Sequence, residues 1–138
     1  MNFAQIYKDY LRGYKVTFTE GEVDNLELIS TSEPLDCGIT VRVTVSFTKS
    51  ISNAIAGIHV LDFISINNIS RKEALYKYLN ELNLKHSFIK FVLDSNNKII
   101  VFGILPINYS FEPEIVARML LSILDACNFE YPRIMNII

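Results

Sequence analysis

Two histidines, two cysteines and a short acidic run are the residues of this chain whose chemistry could build a site. His59 stands three residues before Asp62 in a stretch of strand character. An offset of three sends two side chains to opposite faces of a strand, so the pair is not expected to act as a dyad. His86 sits at a helix-to-strand junction beside Lys85, with no acid or nucleophile converging on it, and a hydrolase built on it is the weakest reading. Cys37 and Cys127 are far apart and neither belongs to a CxxC pair, so a zinc site and a disulfide framework are both unsupported. Cys127 falls within an apolar helical stripe, where a thiol fills core rather than attacks substrate. Glu20, Glu22 and Asp24 crowd "TEGEVDN", which lacks the spacing and terminal glutamate of a calcium loop and reads as a solvated turn. Neither a glycine-rich phosphate cradle nor a Gly-x-Ser-x-Gly elbow is present. The expectation is a protein with no catalytic residues, no cofactor and no metal.

Composition narrows the partners. Thirteen basic and fifteen acidic residues give a net charge of −2, and the basic ones are scattered. The broad positive face that nucleic acid requires is absent, so nucleic acid is set aside. No apolar run approaches the roughly 18 residues of a membrane helix, and "MNFAQIYKDYLRGYK" has no signal-peptide core. A soluble, cytoplasmic protein with free thiols is expected. At 138 residues and 50% hydrophobic content, residues 1–138 suit a single domain with its own core.

The elements follow from hydrophobic period. Phe3, Ile6, Tyr7, Tyr10, Leu11 and Tyr14 recur at helical spacing, with Gly13 as the stop. "YKVTF" alternates as a strand, "TEGEVDN" turns, and "LELIST" is a second short strand before "SEPLDCG" breaks the pattern. "ITVRVTVSFTK" alternates most regularly, with Ile39, Val41, Val43, Val45 and Phe47 on the buried side and a threonine-rich face opposite. "AIAGIHVLDFISI" is a long strand that Gly57 is expected to bend. "ISRKEALYKYLNELNLK" is helical, with Ser70 and Glu73 spaced as a capping box. "SFIKFVLD" and "KIIVFGILP" form a hairpin about Ser95, Asn96 and Asn97, and Pro113 opens the last helix. "PRIMNII" is an apolar tail that packs rather than frays. The fold class is α+β, a single antiparallel sheet packed against helices in the order α-β-β-β-β-α-β-β-α.

Within "NLKHSFIKFVLD", Asn83, Phe88, Lys90, Phe91 and Asp94 resemble the pattern of the YbjN family, which shares the fold of type III secretion chaperones. Leu105 and Pro106 at the exit of the next strand, and the amphipathic helix that follows, are similar too. The resemblance runs from about Asn80 to Asn128 and is topological before that. It implies a small, acidic, dimeric α+β protein that binds an extended segment of a partner on apolar patches. No catalytic residues accompany it.

The leading expectation is therefore a non-enzymatic protein-binding module, chaperone-like or regulatory, acting as a homodimer. Seven tyrosines and nine phenylalanines make the chain aromatic-rich, and tyrosine is favoured at interfaces. The last helix carries more apolar residues than one sheet face requires, adding Ala117, Leu121 and Ala126 to its main stripe. Tyr7, Tyr10, Met119 and Ile123 are the expected protein-binding residues, with the sheet edge setting register. The alternative is a small-ligand sensor in which Phe63, Tyr78 and Phe102 line a pocket.

Overall fold

The computed structural model describes residues 2–50, 52–108 and 110–138, with the backbone alone at Ile69. Helix α1 spans Phe3–Gly13, followed by β1 (Thr19–Val23), β2 (Leu26–Pro34), β3 (Thr40–Thr48) and β4 (Ile55–Ser65). A 3-10 turn at Ile69–Arg71 leads into α2 (Lys72–Lys85); β5 (Lys90–Leu93), β6 (Lys98–Pro106) and α3 (Pro113–Ile137) complete the order. The strands form one antiparallel sheet in the order β1-β2-β3-β4-β6-β5. The expected α+β topology is the observed one. None of the described helices is long and apolar enough to cross a membrane.

One face of the sheet builds the core. Val43, Val45 and Phe47 of β3 sit beside Val60, Ile58 and Ala56 of β4, all fully buried. Val101 and Ile99 of β6 and Phe91 of β5 extend this layer. The three helices lie over it: Tyr7 of α1 meets the Phe47 ring at 5.6 Å, and Leu75, Leu79 and Leu82 of α2 and Ile123 and Cys127 of α3 point inward. Each large apolar side chain so buried contributes about 2 kcal/mol. The other face carries Ser30, Arg42, Thr44, His59, Phe102 and Ile104, and no described helix covers it.

Local structure departs from sequence expectation at five places, each with a physical reason. "YKVTF" is not a strand, because the N–H groups of Tyr14, Lys15 and Val16 are consumed by carbonyls of α1. Lys15, at φ 58°, supplies the left-handed residue that ends this helix, rather than Gly13. The acidic run is the strand β1, not a turn: Glu20 and Glu22 are matched by Lys8 at 2.7 Å and Lys49 at 3.0 Å, and the turn is confined to Asp24 and Asn25. In β4 the irregularity lies between Val60 and Ile64, while Gly57 stays in register opposite Ser46. The capping box does not form, since α2 begins only at Lys72 and no side chain caps it. "PRIMNII" packs as expected: it continues α3 through Pro132, and the burial of Ile134 holds that last turn in place.

Candidate binding surface

The polar members of "NLKHSFIKFVLD" are engaged with backbone. The Asn83 amide donates through Nδ2 to the Phe91 carbonyl at 2.9 Å and accepts the Phe91 N–H through Oδ1 at 2.7 Å. It thus acts as a one-residue strand partner on the outer edge of β5. Lys90 Nζ donates to the carbonyls of Asn83 and His86 at 2.8 and 2.9 Å, which satisfies the end of α2. Asp94 Oδ1 accepts the N–H groups of Asn96 and Lys98 and so closes the β5–β6 turn. Phe91 is buried, and Phe88 is 74% exposed.

The groups singled out for chemistry do not converge. His59 lies on the uncovered sheet face, stacked on Phe102 at 6.1 Å, and burial lowers its pKa. Its ring lies over Gly57, where an added Cβ would stand 2.5 Å from His59 Nε2. Asp62 is engaged with Lys98 at 2.9 Å. His86 stands against Phe91, and its Nε2 has no hydrogen-bond partner among the described residues. Burial pushes the Cys127 thiol up to about 12, where it is inert as a nucleophile at neutral pH. Among the described residues no cluster of three or more His, Cys, Asp and Glu could hold a metal ion.

The expected ligand pocket is likewise not assembled. Phe63 packs into the core against Phe91 and Tyr131, and the Tyr78 hydroxyl donates to buried Glu130. Phe102 lies on the opposite sheet face, since it alternates with the inward-facing Val101 and Gly103 of β6. Three residues split between two faces of a sheet cannot line one cavity.

An open apolar groove of about 260 Å³ runs between α1, β2 and α3. Tyr7, Tyr10, Leu11 and Tyr14 form one wall, Ala117, Leu120 and Leu121 the other, with Val16, Thr31 and Glu33 at the β2 end. Tyr14 and Leu121 are 70% and 59% exposed, large apolar groups that no described residue covers. The helical spacing that brings Tyr7, Tyr10 and Tyr14 onto one stripe also sets their rings in succession along the groove, Tyr7 stacked on Tyr10 and Tyr14 tilted against Tyr10. No protein-family model matches this chain, and no curated protein matches it.

Of the four expected protein-binding residues, Tyr7 and Tyr10 meet in this groove, and Met119 and Ile123 do not. Tyr7 is 1% exposed and forms the floor, so it shapes the surface without offering much of itself. Ile123 is fully buried in the core of the chain because its helical position faces the sheet rather than solvent. Half-buried Met119 lies in a separate hollow with His86, Phe88 and Ile89. Sequence reasoning counted Leu121 within the apolar surplus of α3 and Tyr14 within the helical stripe of the first helix, but spacing alone did not put the two on facing walls of one groove.

Proposed function

We propose that this chain is a non-enzymatic, chaperone-like protein-binding module that acts as a homodimer. The observation that carries the reading is the groove between α1 and α3, where exposed Tyr14 and Leu121 flank half-buried Tyr10. Aromatic and aliphatic anchors in a concave site are what buried interface cores are made of. The YbjN-like spacing from Asn83 to Asp94 points the same way. The dimer draws support from α3, which leaves Phe129 and Met135 about half exposed beyond the stripe that faces the sheet.

The binding claim is tested by comparing capture from native lysate on wild type and on Leu121→Asp, a change at an exposed position that leaves the core alone. A stoichiometric partner retained by wild type and lost by the variant is expected; equal capture by both contradicts the groove. Light scattering over a wide concentration range tests the dimer. A mass of two 15.8 kDa chains is expected, and a constant single-chain mass contradicts it.

A further inference from the structure

We propose that the stretch of β2 extending beyond β1 is a strand-addition slot for an extended segment of a partner protein, one whose apolar side chains alternate with acidic ones. This deepens the protein-binding reading above and rests on it.

β1 pairs with β2 only from Val23↔Leu26 to Thr19↔Ser30, whereas β2 continues against β3 to Pro34↔Thr40. Antiparallel ladders alternate bonded and non-bonded pairs. The Lys49 N–H donates to the Asn25 carbonyl at 2.9 Å and the Leu35 N–H to the Ile39 carbonyl at 2.8 Å. Those two rungs set the phase: odd residues of β2 bond to β3, and even residues face the other way. Ser30 therefore meets Thr19, while the N–H and C=O of Ser32 and the C=O of Pro34 face outward with no backbone partner among the described residues. Thr17 would stand opposite Ser32 if β1 continued, but the last turn of α1 holds this segment aside through Val16 N–H on the Leu11 carbonyl. The two paths part around a cleft of about 650 Å³. Unpaired strand edges call for an extended backbone.

The side chains around the cleft state which segment fits. A strand laid on β2 sends alternate residues to the two sheet faces. On the helix side they enter the apolar groove, which is continuous with the cleft through Val16, Thr31 and Glu33. On the other side they meet Ser32 and Arg42, which are neighbours across the β2–β3 ladder. Arg42 is exposed and joins none of the ion pairs among the described residues, so an acidic residue complements it. Glu33, at the groove mouth, disfavours an acid on the helix side. The far edge of the sheet offers no equivalent at Phe91, because Asn83 already occupies both of its outward groups.

The test is selection of random displayed peptides on the full chain, followed by fluorescence anisotropy of the enriched peptides on wild type, Ser32→Pro and Arg42→Glu. Alternation of apolar and acidic residues is expected among the selected sequences. Ser32→Pro removes only an outward N–H, at an edge where proline is tolerated, and weakens binding about tenfold. Arg42→Glu, at an exposed side chain, weakens the acidic peptides, and selection repeated on it shifts the enriched charge from acidic to basic, which decides the matter even if the proline variant folds poorly. Peptides insensitive to both substitutions overturn the slot and leave the protein-binding reading standing. Failure to enrich any peptide also overturns the slot, and the lysate comparison then decides the broader reading separately.

Discussion

Asn83 spends one side chain on two backbone groups of a strand edge, and Asp94 does the same for a turn. Replacing Asn83 by Ala strands the N–H and C=O of Phe91 at a partly buried site, at a cost of about 2 kcal/mol. Urea unfolding should report that loss, with a smaller one for Asn83→Asp, which keeps the acceptor; an unchanged midpoint for both contradicts the role. Cys127 and Cys37 make a second contrast, one thiol buried and pushed up to about 12, the other exposed. Iodoacetamide at neutral pH should modify Cys37 alone until the chain unfolds, as read by mass spectrometry. Equal labelling of both would show that α3 is not packed as described. The spacing Asn83–Phe88–Lys90–Phe91–Asp94 was legible as a pattern, but its bonds were not. They join α2 to β5 across a loop, and spacing along the chain does not state which backbone group a side chain will reach.

At the scale of elements, Gly103 is where β6 lets its neighbours approach. A Cβ there would stand 3.0 Å from the Phe88 carbonyl oxygen and 3.0 Å from Met119 Sδ. The thioether can swing aside, whereas the backbone oxygen cannot, so Gly103→Ala should cost about 1–2 kcal/mol in a thermal or urea melt. A neutral effect would mean the junction between α2 and β5 is looser than drawn. β3, with its strict alternation, and β6, an apolar run between a polar turn and Pro106, were readable almost to the residue. β1 was not, because Glu20 and Glu22 look like a turn until Lys8 and Lys49 arrive from distant parts of the chain to pair with them. The start of α2 failed for a related reason: Ser70 and Glu73 have capping spacing, yet the preceding residues wind as a 3-10 turn and the cap is not made.

For the molecule as a whole, burial of groups that must stay neutral sets an alkaline limit. Burial raises Cys127 from 9.0 to about 12, and burial together with the Glu130 bond raises Tyr78 from 10.0 to about 12. Tyr7 is raised too, chiefly by burial. Each folded pKa lies above its unfolded value, so this stability is fully present below pH 9 and is lost as pH climbs toward 12. The melting temperature should fall steadily across that window, and a flat profile would contradict the burial. Surface legibility was partial at this scale. The tyrosine stripe of α1 pointed to the groove, but the unpaired edge of β2 depends on where a neighbouring strand stops, which only the register shows. The central claim is that partners bind where α1, α3 and that edge meet, and photocrosslinking in native lysate tests it most directly. A benzophenone side chain in place of Leu121 should capture a distinct protein, and one in place of Ile104, on the uncovered sheet face, should not. Equal capture from both positions, or none from Leu121, would contradict the account.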